Sequence, residues 1–528
     1  MVISPSGIVA TSHYLASQAG AAILAKGGSA VDAAISANAV LSVTEPMMNG
    51  IGGDLFALHW AAQTGTLSGI NASGWAPRAL TPAHLRTKGI TKMPRHGIDS
   101  VTVPGAVAGW ATMHERFGRL RWNELFAPAI HYAERGYAVP EVIHEFWQHP
   151  GFTDEAKRVF LPSGRRPEVG ELFRNPDYAR TLSLIAARGA DAFYRGEIAQ
   201  AIVATSEELG GTMTAEDLAE FSPEWVDPIF TDYRGWRVYE LPPNGQGMAA
   251  LSMLNIMEQS NPATSGPQGT EELHKKIEAM KLAYADLRRY LADPRVSEIP
   301  TRALISKRYA AARAKMIDPD KARCDYGPGE PPGSDTTYLA TVDRAGSMVS
   351  WINSNMSEFG SGVVVRRMGF VLQNRGALFV LGAEHPNVLA GRKRAFHTII
   401  PAFMEKGTQH IGFGVMGGYN QPLAHAQFVS NVVDYGMNIQ AALSAPRFTV
   451  ADDFCHTLIE SRVDPRVIEQ LRSKGHSLDL RGEYSSLMGR GQAILHDSTK
   501  KMNFAASDPR ADGSADVEIP DFSSQVIP

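Results

Sequence analysis

The sequence predicts an α+β fold in which helices cover both faces of antiparallel sheets. Three observations lead there. A helical apolar period runs through much of the first 300 residues, a period of two takes over near residue 336, and a helical stretch returns after residue 420. With 528 residues, 44% apolar and 20% charged, the composition is that of an ordinary globular protein. The length allows roughly two to four average domains, or one large unit with a sizeable core.

In LHKKIEAMKLAYADLRRYL the apolar positions Leu273, Ile277, Met280, Tyr284, Leu287 and Leu291 step by four and three, which puts them on one buried helical face. Between about Ala311 and Asp335 that pattern lapses into a Pro- and Gly-bearing segment, ending ARCDYGPGEPPGSD, which reads as an exposed connector. Then TTYLATVD, the turn DRAG and MVSWINSN read as a hairpin. GFVLQN and HIGFGVMGG are further strand candidates, and QPLAHAQFVSNVVDYGM is a helix behind them.

Charge and cysteine usage narrow the function. With 51 basic and 55 acidic residues the net charge is −4, which leaves no basic footprint for nucleic acid and no polybasic patch for a membrane. Small-molecule chemistry is the expectation. The only two cysteines, Cys324 and Cys455, argue against a disulfide framework and against a CxxC zinc site, and point to a reducing compartment. The opening MVISPSGIVATSHYLASQAG lacks the cationic and apolar regions of a signal peptide, and no apolar run approaches the roughly 18 residues that span a bilayer. A cytoplasmic protein with no metal or other cofactor is expected.

Several motifs can be set aside. NGIGGDLF places Leu55 where a dinucleotide fingerprint needs its third glycine, so Gly50, Gly52 and Gly53 read as a tight turn with close backbone approach. His144 and His149 in HEFWQH are five residues apart, about 140° around a helix, and cannot share a face as a metalloprotease pair does. Neither a GxSxG elbow nor a P-loop occurs.

The seam GSDTTYL at 333–339 is different. Were the chain cut before Thr336, one residue would carry a hydroxyl nucleophile and an α-amine to act as its base. An α-amine titrates near ~7.7–8.0, so it can take a proton at neutral pH and return it to a leaving amine. The same hydroxyl can make the cut by attacking the Asp335 carbonyl, moving the acyl group from nitrogen to oxygen, with water hydrolysing the ester. A Thr-Thr pair is also what opens an ordinary strand.

The surrounding sequence bears on that choice. The chain resembles the γ-glutamyltransferase family of N-terminal-nucleophile (Ntn) hydrolases along nearly its whole length. The resemblance runs from ATSHYLASQAG and GGSAVDAAISANAVLSVTEP through NGIGGDLF, SVTVPGAVAGW, LAYADLRRYLADP, TTYLATVD and EFGSG. It continues through HPNVLAGRKR, VMGGYNQP and SAPRF to ASDPR. It implies a four-layer αββα sandwich formed jointly by a large subunit, 1–335, and a small one, 336–528, after self-cleavage. The two would form a heterodimer, with further dimerisation left open. It puts the nucleophile at Thr336, the oxyanion hole at Gly417 and Gly418, and a hydroxyl that bonds the nucleophile at Ser354. Thr337 should face away, because strand residues alternate.

The sequence also departs from that family. Where glutamyl enzymes hold the substrate's α-carboxylate with arginine and its α-ammonium with an acid, this chain has Ser73 and Leu378. A leucine cannot pair an ammonium, so the acyl group should lack one. Arg375 in LQNRG could hold a carboxylate through two hydrogen bonds, or be a surface or structural ion pair. His397 and Thr398 replace the family's two substrate-contacting serines. A cation without an ammonium acceptor suits the monoamide of a small dicarboxylic acid, as in the branch of the family containing oxamate amidohydrolase, which acts late in uric acid degradation. A γ-glutamyl hydrolase or transferase and a glutaryl or cephalosporin-type acylase are the alternatives. A non-catalytic binding protein is the reading from another class, against which Thr336, Gly417 and Gly418 stand.

Overall fold

The computed structural model describes residues 1–324, 335–382, 384–451, 453 and 455–520. Fourteen strands build its two large sheets. In chain order they are β1 (Val2–Ser4), β2 (Ile8–Thr11), β3 (Asp54–Ala61), β4 (Thr66–Ala72), β5 (Glu224–Val226), β6 (Ile229–Tyr233) and β7 (Trp236–Glu240). Beyond the seam come β8 (Asp335–Val342), β9 (Met348–Met356), β10 (Ala402–Lys406), β11 (Gln409–Val415), β12 (Gly491–Asp497), β13 (Met502–Ser507) and β14 (Ser514–Val517).

One seven-stranded sheet has the order β1-β13-β12-β11-β10-β7-β6, the other β14-β2-β8-β9-β3-β4-β5. Both mix strands from the two sides of Thr336. The sheets face each other through β8, β2, β11, β12 and β13. Helices α1 (Tyr14–Ala25) and α2 (Ala30–Thr44) cover the second sheet, while α3 (Gly247–Met257) and α4 (Asn420–Val433) cover the first. This is the expected αββα layering. Every residue of α2 and of β9 is buried, as elements sandwiched between layers must be.

The helix read in LHKKIEAMKLAYADLRRYL spans Thr270–Tyr290, and all six apolar positions named there are buried. The hairpin forms as read, with β8 antiparallel to β9 and Gly346 of the turn at φ 83°. Two readings need correction. The connector does not begin at Ala311, because Lys307–Ala314 is a helix capped by Ser306. The good helix formers of KRYAAARA supply it without any apolar period. GFVLQN is not a strand: its backbone N–H groups go to scattered partners in place of one neighbouring strand, Leu372 N to Val363 O, Gln373 N to Gly52 O and Asn374 N to Asn355 O. The rest of the connector, 325–334, lies outside the described residues.

The cysteines also depart from expectation. Cys324 and Cys455 form a disulfide, their Cα atoms 5.3 Å apart and 131 residues apart in sequence. Two lone cysteines say nothing about pairing until the fold brings them together. Among the described residues no helix is long and apolar enough to cross a membrane.

Candidate active site

Thr336 is the second residue of β8 and is wholly buried. The β8–β9 ladder shifts register there: Thr337 pairs with Asn353, but Asp335 pairs with Met356, so Ser354 and Asn355 together face Thr336. Such a bulge re-aims side chains. Here it leaves Thr336 Oγ1 and Ser354 Oγ 3.2 Å apart. Met356, beyond the bulge, takes φ 82°, and its N–H donates to Ser354 Oγ at 2.8 Å.

The glycine turn at NGIGGDLF packs behind this point as read. A Cβ on Gly53 would meet Ser354 O at 2.4 Å, and one on Gly52 would meet Val371 O at 2.0 Å. Thr337 faces the other way, again as alternation requires. It is more than a strand residue, because its hydroxyl donates to the buried Glu45 carboxylate and accepts from Asn49 Nδ2. Burial pushes the Glu45 carboxyl up.

Arg375 opens the short 3-10 turn Arg375–Leu378. Its Nη2 donates to Ser354 Oγ at 3.1 Å and its Nη1 to Thr398 Oγ1 at 2.7 Å. The guanidinium is wholly buried, and no ion pair is formed with it among the described residues, so both bland readings of this arginine fail. Among the described residues its Nε has no hydrogen-bond partner. Burial brings its pKa down to about 10, against the opposing pull of the Asp54 charge. Leu378, at the end of the turn, packs in an apolar cluster.

Asp54 is the carboxylate that the sequence reading missed. Its Oδ1 accepts from Gly74 N at 2.9 Å and from Gln373 Nε2 at 2.8 Å, and its Oδ2 pairs with His397 Nε2 at 2.9 Å. Ile399 N–H donates to His397 Nδ1 at 3.3 Å, so Nε2 carries the proton and donates to Asp54. Burial, with the Arg375 charge second, holds His397 down to about 4. Both ring nitrogens are engaged, which makes His397 a neutral strut. The Ser73 hydroxyl donates to Asn71 Oδ1 at 2.7 Å and accepts from Asn244 Nδ2 at 3.3 Å, one residue before the Gly74 N–H that holds Asp54.

Gly417 and Gly418 follow β11 at φ 131° and 56°, conformations that favour glycine. They lead into the N-terminus of α4, whose positive end favours a nearby negative charge. Gln246, also missed, ties this loop down: its Nε2 donates to Gly418 O at 2.8 Å and to Thr398 O at 2.6 Å. A buried hydroxyl, a second hydroxyl beside it, a cation and glycine N–H groups are parts from which an acyl-transfer site can be built. His144 and His149 take no part: His144 Nδ1 meets Pro167 O at 2.8 Å and His149 Nε2 meets His96 Nδ1 at 3.1 Å.

Comparison with known proteins agrees with this geometry. The family model described as Gamma-glutamyltranspeptidase matches residues 16–517. A glutathione hydrolase-like YwrD proenzyme of Bacillus subtilis is 38% identical, covering 97% of this chain and 99% of its own length. An oxamate amidohydrolase proenzyme of Klebsiella pneumoniae is 33% identical, over 97% of this chain and 98% of its own. Among solved structures, the cephalosporin acylase of Bacillus halodurans superposes with a TM-score of 0.92 at 42% identity, over 98% of this chain and 96% of that one. With a bulge that faces Ser354 to Thr336, a glycine pair at a helix N-terminus and a match along nearly the whole sequence, the chain belongs to the gamma-glutamyltranspeptidase family.

Proposed function

We propose that the chain cuts itself between Asp335 and Thr336 and then hydrolyses a short carboxylate monoamide, oxamate in the first instance, to the dicarboxylate and ammonia. The subunits would be 1–335 and 336–528, the second of 528 − 335 = 193 residues. In the cut, Thr336 Oγ attacks the Asp335 carbonyl, the acyl group moves to oxygen, and water hydrolyses the ester. In turnover the freed α-amine takes the Thr336 hydroxyl proton as Oγ adds to the substrate carbonyl. Gly417 and Gly418 N–H groups receive the oxyanion. The protonated amine then gives its proton to the departing ammonia, and water cleaves the acyl-threonine to release oxalate.

The observation that carries the substrate class is Arg375. Among the described residues this buried guanidinium has no carboxylate within ion-pair distance and its Nε has no partner, which is costly unless an anion completes it. It lies two hydrogen bonds from Thr336, through Ser354. A substrate whose carboxylate meets this cation while its carbonyl meets Thr336 therefore has a short spacer. The resemblance to an oxamate amidohydrolase proenzyme supports the same class.

A glutaryl or cephalosporin-type acylase, or a γ-glutamyl hydrolase, is the second reading, favoured by the likeness to the Bacillus halodurans acylase and to the YwrD proenzyme. Ammonia release from oxamate, succinamate and glutaramate, beside p-nitroaniline release from a γ-glutamyl donor, tests the proposal. kcat/KM should fall as the spacer lengthens. Preference for the glutamyl or glutaryl donor would overturn the short-amide reading.

A further inference from the structure

Cys324 and Cys455 lie on opposite sides of the proposed cut. Cys324 stands 335 − 324 = 11 residues before Asp335, and Cys455 belongs to the segment that follows Thr336. Their Cα atoms are 5.3 Å apart, inside the ~4.4–6.8 Å that a disulfide takes.

One short run of the 336–528 segment gathers both cysteines. Lys474 O accepts from Ala322 N, and Lys474 Nζ donates to Pro319 O, both at 2.7 Å. His476 Nε2 meets His274 Nδ1 at 2.7 Å, and His274 Nε2 donates to Asp318 O at 2.8 Å. These contacts hold the residues just before Cys324 against 474–476. On the other side, Ser477 O accepts from Thr457 N at 2.9 Å, and Ser477 Oγ meets His456 Nδ1 at 2.8 Å. Asp453 Oδ1 closes the turn at Cys455, accepting from Cys455 N at 3.0 Å and from His456 N at 2.8 Å. Contacts that do not involve sulfur thus bring the two cysteines together.

We propose that Cys324–Cys455 is an inter-subunit bond: after self-cleavage it joins the large subunit to the small one, and the two chains come apart only on reduction. This rests on reading the cut before Thr336. Forming the bond from two thiols releases two electrons and two protons, which a small disulfide such as oxidised glutathione takes up by exchange. Before the cut, the bond closes a loop that contains the seam. Afterwards the same bond keeps the unfolded chains together, so their assembly is intramolecular and does not depend on protein concentration. The chain has no other cysteine, so no other pairing within it competes.

The test uses full-length protein purified without reductant, equilibrated with oxidised glutathione and then blocked with N-ethylmaleimide. It should run near its full 57.2 kDa on a non-reducing denaturing gel, and after reduction as two bands, of 335 and 528 − 335 = 193 residues. Cys455→Ser and Cys324→Ser should each give two bands in both lanes. Two bands for the oxidised wild type without reductant would overturn the link. A single full-length band in every lane, the serine variants included, would instead overturn the cleavage on which it rests. Urea unfolding reads the consequence for assembly. The midpoint of the oxidised, processed wild type should stay constant over about a hundredfold range of protein concentration, while that of Cys455→Ser should fall on dilution. Midpoints that respond alike in the two proteins would overturn the role in assembly.

Discussion

His397 Nε2 donates to Asp54 Oδ2 at 2.9 Å, with both side chains wholly buried and 343 residues apart in sequence. The pair stands behind Arg375, and Asp54 is the carboxylate whose charge most favours that guanidinium. Much of the site's behaviour follows from this arrangement.

Its pH dependence has a definite sign. The folded His397 titrates near 4 and an unfolded histidine near ~6.5, so between those values the unfolded chain binds more protons. The contribution to stability is complete above about pH 6.5 and is lost as pH falls toward 4, with a slope of up to about 1.4 kcal/mol per pH unit. The buried Glu45 and Glu240 carboxyls, pushed up by burial, act with the opposite sign, so the comparison is with a His397→Gln variant. Urea midpoints between pH 7.5 and 4.5 should fall more steeply in the wild type. Parallel profiles would contradict the neutral, buried histidine.

Asp54→Asn should be more damaging than its small change in shape implies. An asparagine oxygen can still serve Gly74 and Gln373, but its amide group would face the His397 N–H and leave it unsatisfied. The expected cost is about 1–3 kcal/mol in urea denaturation, with weaker hydrolysis because Arg375 loses the favourable charge of Asp54. Unchanged stability would mean that the site does not need Asp54 charged.

The two threonines of the seam should separate cleanly. Thr336→Ala should leave one full-length chain and no hydrolysis. Thr337→Val should still cut, yet lose about 1–3 kcal/mol, because Glu45 and Asn49 lose their shared hydroxyl. Denaturing gels and thermal melts of the two variants check this. Loss of cutting with a native-like melt in Thr337→Val would place both threonines in the chemistry.

Gly417→Ala tests the oxyanion loop. At φ 131° an alanine is strained, at a cost of about 1–3 kcal/mol. Displacing one N–H donor should reduce kcat by about a hundredfold to a thousandfold. A variant with full kcat would remove this loop from the mechanism.

What the sequence made legible was local. The six-residue helical face, the DRAG hairpin, the glycine turn and the strand before Gly417 were readable because period and punctuation are written in adjacent residues. Thr336 is proposed from the chemistry of the seam together with the family resemblance, since the two threonines alone also open an ordinary strand. Asp54 was not readable, since its meaning appears only when His397 folds onto it. Gln246 sits at the start of a helix and looks like any polar capping residue until Gly418 O is seen above it. The disulfide and the irregular path of GFVLQN likewise depend on partners remote in sequence.

The pairing of β1 with β13 and of β2 with β14 sets Val2 beside Ala505 and Ile8 beside Val517. Residues near the two ends of the sequence are thus neighbours in both sheets, while the proposed cut opens the chain elsewhere. Joining 528 to 1 with a short linker and starting the gene at codon 336 would reorder the chain without reordering the fold. Removal of the initiator methionine would then expose the Thr336 amine directly. Such a permuted protein would be born with its nucleophile free, and would let turnover be studied in variants that can no longer cut themselves.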